Sequence, residues 1–172
     1  MVEGNPTEVL RANNEHNFAY QDLRDWLVEA EKLGELETIT GASWEEDIGM
    51  AATVAKYRDG SPALLFDEVP GCDKGFRVLC NFFGGKRKNL TLGFPENLDK
   101  VELSDAWAGV YSHEQGALIP PVYVEGGPVF QNIMTGDDIN VLAFPSPMWH
   151  EDDGGRYIGT GTYNVTQDPD TG

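Results

Sequence analysis

The sequence predicts an α+β protein. Three observations carry that reading. Apolar residues recur with helical spacing in two early stretches, and short apolar runs bounded by turn residues lie between and after them. Beyond about residue 118, mostly strand and turn signals remain. The first part therefore reads α-β-α-β-β and the second part mostly β.

Residues 1–18 show no periodicity and are read as a loose arm. Leu23, Trp26, Leu27, Ala30 and Leu33 then form one apolar stripe at helical spacing, and Gly34 is placed to end that helix. Glu35–Thr40 reads as a short strand. Ser43 to Glu46 has the form of a capping box, with Ser43 as N-cap and Glu46 as its partner. It opens a helix through about Tyr57, with Ile48, Ala51, Val54 and Ala55 on one face. Asp59–Pro62 breaks that helix. Ala63–Val69 fits a buried strand, residues 70–75 a turn, and Phe76–Phe83 the next strand.

A weaker helical stretch falls around Pro95–Leu103, and residues 104–120 are ambiguous. Pro120–Met134 reads as two short strands around Gly126 and Gly127, followed by a turn and an apolar segment. Pro145–Gly155 is irregular, rich in Pro, Asp and Gly. In the last strand Thr160, Thr162, Asn164 and Thr166 alternate with Gly161, Tyr163, Val165 and Gln167. Asp168–Gly172 is turn chemistry, a hairpin tip with no return strand after it.

The 172 residues suffice for one ordinary domain or two small ones, and 40% hydrophobic content allows a packed core. No apolar run approaches the roughly 18 residues needed to span a bilayer. The N-terminus is acidic and polar without an apolar signal segment. The expectation is a soluble cytoplasmic protein. A formal charge of −17 argues against a nucleic-acid surface and against docking on anionic membrane. It fits either simple solubility or a salt-adapted source. Cys72 and Cys80 match no zinc spacing. Cys80 sits in an apolar run and reads as a buried thiol, Cys72 lies in a Gly-rich turn, and no disulfide is expected between them in a cytoplasmic chain.

Two local clusters could carry chemistry. Gly84–Asn89 sets three basic residues behind two glycines, an arrangement for an anion contact or for a solvated turn paired with surplus carboxylates. It lacks P-loop spacing. Trp149–Gly155 crowds His150 with Glu151, Asp152 and Asp153, which fits a metal site, acid–base catalysis, or a loop whose Asp side chains cap backbone N–H groups. The pair His113 and Glu114 reads as structural, and His16 in the arm carries no functional weight. The residues alone define a soluble acidic α+β protein without a reaction.

From Thr135-Gly136-Asp137-Asp138-Ile139, through Pro145, Pro147, Trp149-His150, Asp153-Gly154-Gly155 and Tyr157-Ile158, to Asp168-Pro169-Asp170-Thr171-Gly172, the chain resembles the UbiD family of decarboxylases. The likeness extends more softly over Asp22–Leu36, Pro62–Gly71 and Arg77–Gly93. It implies an N-terminal α/β domain over residues 19–118, after the 1–18 arm. Residues 119–172 would then hold the first strands of a split β-barrel of the FMN-binding type, cut at a hairpin turn. It implies reversible non-oxidative decarboxylation of an aromatic or α,β-unsaturated carboxylic acid with prenylated FMN, Mn²⁺ or another divalent metal, and K⁺. Implied partners are a flavin prenyltransferase that supplies the cofactor, the remainder of the enzyme, and further copies in a homo-oligomer. The metal ligands, flavin-contacting arginine and catalytic residues are expected downstream of Gly172. Thr160 resembles a threonine near the cofactor in ferulic-acid-decarboxylase-like members, and Thr162 shares its face by the period of two. Gly161 and Thr162 depart from the pattern of those members. The resemblance assigns His150 a structural role and Gly84–Asn89 a surface turn or interdomain contact. The competing reading is a non-enzymatic stand-alone domain or partner subunit.

Overall fold

The computed structural model of the chain describes residues 18–110, 122–158 and 166–171. Its first helix, α1, spans Leu23–Lys32. Asp22 caps it, accepting hydrogen bonds from Arg24 N at 2.7 Å and Asp25 N at 3.2 Å. Gly34, at φ +70°, ends it in the left-handed conformation that glycine adopts without steric cost. Strand β1 (Leu36–Thr40), helix α2 (Asp47–Tyr57), strand β2 (Ala63–Asp67) and strand β3 (Val78–Cys80) follow. Helices α3 (Arg87–Leu92) and α4 (Lys100–Val110) complete the body.

The sheet order is β1-β2-β3. The β1–β2 pair is parallel, with Leu36 opposite Ala63, and β3 runs antiparallel to β2, with Leu65 opposite Leu79. Central β2 is buried on both faces, and its period of two divides its side chains between two cores. Leu64 and Phe66 join Ile48, Ala55, Val69 and Cys80 against α2. Ala63 and Leu65 join Trp26, Leu27, Ala30 and Leu90 beneath α1 and α3. Helix α4 adds a smaller cluster of Phe94, Leu103 and Ala106.

Several expectations are corrected. The partner of Ser43 is Asp47 rather than Glu46. Ser43 N donates to Asp47 Oδ2 at 2.9 Å, while Ser43 Oγ accepts from Glu46 N and Asp47 N at 3.4 Å each. A turn over 44–46 delays the helix by one residue beyond capping-box spacing. The strand expected over 76–83 survives only as β3, because Asn81 takes φ +58° and leaves the ladder. Its side chain donates to Pro62 O at 2.9 Å instead.

The helix expected at 95–103 lies further on, at α4. Asp99 Oδ1 accepts from Val101 N and Glu102 N, and Asp99 N donates back to Glu102 Oε2 at 2.9 Å, a reciprocal cap that fixes the start. The two strands expected around Gly126 and Gly127 do not form among the described residues, where Pro128–Phe130 makes a single 3-10 turn. Further 3-10 turns occupy Gly136–Asp138 and Val141–Ala143. No split barrel is seen among the described residues, and most of the expected last strand, 159–165, lies outside them. Residues 166–168 are irregular and 169–171 form a turn. His16, His113 and Glu114 also lie outside the described residues.

Candidate functional site

Every described residue from 122 to 142 is exposed, whereas residues 143–158 fold back onto the α/β body. This returning stretch is a strap. Met148 N donates to Trp44 O at 2.9 Å, and the Phe144 ring meets Phe76 edge-on at 5.3 Å. Trp149 packs on the core that holds Ile48 and Phe66, and Pro147 is fully buried. Gly49 in α2 permits this approach, since a Cβ there would run into the backbone carbonyl oxygens of Met148 and Trp149.

Arg156 secures the strap. Its Nε donates to Ser146 O at 2.7 Å and its Nη2 to Phe144 O at 2.6 Å, while the guanidinium stands 4.2 Å from the centre of the Trp44 ring. Between the strap and β3 lies an open cleft of about 580 Å³, walled by Phe76, Val78, Phe82, Phe144, Trp149 and Tyr157. The Trp149 Nε1 is buried without a hydrogen-bond partner among the described residues.

The acidic loop beside the strap is built as a turn. His150 N donates to Asp153 Oδ2 at 2.9 Å, and Asp153 N returns a bond to His150 O at 3.1 Å. The His150 Nδ1 is 3.7 Å from the same carboxylate oxygen, on an exposed ring. Thus Asp153 caps the backbone, the third of the three readings left open by sequence. Among the described residues no group of three or more His, Cys, Asp and Glu side chains could hold a metal ion.

The Gly84–Asn89 cluster is the larger surprise. Arg87 and Asn89 are not in a solvated turn but buried in α3, at 0% and 1% exposure. Arg87 Nε donates to Asn81 O at 2.7 Å, and its Nη1 pairs with the Glu35 carboxylate. Asn89 Nδ2 donates to Pro95 O and Leu98 O, fixing the loop before α4. Arg87 thus ties the start of β1 to the end of β3, and Asn89 ties α3 to the loop before α4.

Both cysteines are free thiols, and burial pushes the Cys80 thiol up to about 11. In the last turn, Asp168 Oδ1 accepts from Thr171 N at 2.9 Å and Asp170 N at 2.8 Å. These bonds, Thr171 first, hold the exposed carboxyl below the usual Asp range. Thr160 and Thr162, the cofactor-facing candidates, lie outside the described residues. Sequence reasoning missed Arg156, whose only local signal is its place after Gly154-Gly155.

Residues 27–107 match the family model of the 3-octaprenyl-4-hydroxybenzoate carboxy-lyase N-terminal domain, and residues 122–172 that of the Rift-related domain. The chain belongs to the UbiD family.

It is 32% identical over 163 residues to a pyrrole-2-carboxylic acid decarboxylase of Pseudomonas aeruginosa, covering 90% of this chain and 32% of the relative. It is 32% identical over 145 residues to a phenolic acid decarboxylase of Bacillus subtilis, covering 82% of this chain and 30% of the relative. The chain thus spans about a third of the length of these curated relatives. Among solved structures it is similar to the open form of Sedimentibacter hydroxybenzoicus vanillic acid decarboxylase, with TM-score 0.67 and 26% identity over 80% of this chain and 30% of that one. The closed form of that enzyme matches at TM-score 0.60 and 27% identity, over 80% of this chain and 29% of that one.

Proposed function

We propose that the chain is the N-terminal part of a UbiD-type carboxy-lyase that decarboxylates an aromatic or α,β-unsaturated carboxylic acid, reversibly and without oxidation. The observation that supports this most is the succession of the two family domains along one chain, at 27–107 and 122–172. The named activities of the relatives, on pyrrole-2-carboxylic, phenolic and vanillic acids, support an aromatic substrate. In this reading residues 19–118 are the N-terminal domain and 119–172 begin the split barrel, with Thr160 and Thr162 facing the flavin. A homo-oligomer and cofactor supply by a flavin prenyltransferase belong to the same proposal.

Prenylated FMN would supply an electron sink for the departing CO₂, with a divalent metal and K⁺ beside it. In this reading the groups that hold the cofactor and metal belong to the remainder of the enzyme. Among the described residues the carboxylate nearest His150 is occupied as a backbone cap. The contribution of the described residues is to pack, orient and exclude water around the entry to the barrel.

The test assays the 172-residue chain alone and together with the C-terminal two thirds of the Pseudomonas aeruginosa relative. Prenylated FMN, Mn²⁺ and K⁺ are present, and CO₂ release from pyrrole-2-carboxylate and vanillate is followed. Release only with the complement is the expected result. No release with the complement, while the intact relative turns over, would overturn the enzymatic reading. The stand-alone or partner-module reading, favoured by the self-contained core of residues 18–110, would then stand.

A further inference from the structure

We propose that Arg156 is a positioning residue that makes the 144–158 strap a mechanical part of the N-terminal body. The body so defined reaches to Ile158, past the start of the second family match at residue 122. The functional half of this inference rests on the decarboxylase reading. The structural half stands on the chain's own geometry.

The family boundary assigns residues from 122 onward to the Rift-related domain. The contacts divide that stretch differently. Residues 122–142 are all exposed, and their large apolar side chains take no part in the three core clusters. The strap shares the core of the preceding body instead. It is held by the Met148–Trp44 backbone bond, by Trp149 against the core cluster that contains Ile48 and Phe66, and by the close approach at Gly49.

Arg156 closes this arrangement from the far end. One planar guanidinium binds two strap carbonyls, those of Phe144 and Ser146, and stacks on Trp44 of the body. Among the described residues it has no carboxylate in ion-pair range, and the two bonds it makes, from Nε and Nη2, both go to the strap. Tyr157 N then donates to Pro147 O at 3.3 Å. From Ile158 to Thr160 there are two peptide units, about 7 Å of chain at full extension. The place where the strap ends therefore limits where the threonine candidates can stand.

A lysine cannot replace Arg156 in this role. A single ammonium can meet one carbonyl or sit over the ring, but it lacks the planar fork that does all three. That difference separates positioning from mere positive charge.

The experiment measures amide hydrogen exchange in the 172-residue chain for wild type, Arg156→Ala, Arg156→Lys and Trp44→Leu. The Met148 and Tyr157 amides report on the strap, and the β2 amides report on the body. Arg156→Ala is expected to speed exchange at Met148 and Tyr157 by about tenfold or more while β2 protection holds. Trp44→Leu should do the same, and Arg156→Lys should recover little of it. In the complemented enzyme, Arg156→Ala should weaken prenylated-FMN binding by about tenfold, read by flavin fluorescence. Unchanged exchange at the strap amides overturns the proposal, as does equal loss of protection in β2. Loosened strap amides with unaltered flavin affinity overturn the positioning role. If the wild-type complemented enzyme binds no flavin, the decarboxylase reading fails, and the exchange data still decide the strap.

Discussion

Residues 18–110 and residues 122–158 solve the same problem in opposite ways. The first stretch buries β2 between two helical layers, and its core residues come from its own elements. Among the described residues the second contributes no buried member to any hydrophobic cluster, only Trp149 packed against one, and it holds more than half of the exposed large hydrophobic residues. Its only docked part, the strap, borrows the core of the first. Composition does not separate the two, since both are rich in Val, Ile, Leu and Phe. The difference is partnership. An apolar stretch without strands or long helices cannot pair its own backbone and bury its own side chains together, so it depends on what packs against it.

The largest test of that contrast removes one ring from each kind of environment. Phe66 is 0% exposed at the centre of β2. Phe66→Ala should cost about 3–5 kcal/mol, the lost transfer energy plus a cavity that surrounding strands cannot collapse. Ile139→Ala, at an exposed position, should change stability by no more than about 0.5 kcal/mol. Urea unfolding followed by far-ultraviolet circular dichroism measures both. Similar costs for the two would break the contrast, because residues 122–142 would then have a core of their own.

Next in size is the buried ion pair that only the first region contains. Arg87 and Glu35 have side chains 1% and 19% exposed. Glu35→Gln leaves the guanidinium inside without a counter-charge and should cost about 3 kcal/mol. Replacing both partners by apolar residues, Glu35→Leu with Arg87→Met, should recover most of that loss, since a desolvated pair returns little net energy over good packing. The same urea transitions decide. A single-variant cost below about 1 kcal/mol would mean that water reaches Arg87 and that its burial is not structural.

These residues also show what could be read from the sequence. The stripe of α1 and the unbroken run of β2 were legible because period and burial agree there. The triplet Lys86, Arg87 and Lys88 was not, because a charged run reads as solvated unless its partner is known. Glu35 stands far away in sequence, and no local pattern pairs it with Arg87. The Asp99–Glu102 cap has a capping-box pattern legible in the sequence, and it sets the start of α4 beyond Pro95. β3 fell short of its apolar run because Asn81 bonds to Pro62 O, a tertiary choice that hydrophobicity cannot encode. The resemblance located the family correctly, yet Arg156 escaped it. Its role needs Trp44, more than a hundred positions earlier, and the two meet only once the strap has docked.

The smallest effect probes the seam between the two regions. In the turn that leads into α2, Ser43 Oγ accepts two long bonds of 3.4 Å, from Glu46 N and Asp47 N, while Asp47 Oδ2 accepts a bond of 2.9 Å from Ser43 N. Ser43→Ala removes only the two long bonds and should cost about 1 kcal/mol or less. Asp47→Ala removes the shorter one and should cost at least as much. The neighbouring Trp44 offers its carbonyl to Met148 N, so a loosened cap moves the strap's own anchor. Hydrogen exchange should therefore show Met148 losing protection in step with α2 in the Ser43→Ala chain, while the β2 amides keep theirs. If Met148 stays protected as the start of α2 frays, Trp44 is held from the strap side rather than from the helix. The dependence of the second region on the first would then run in both directions.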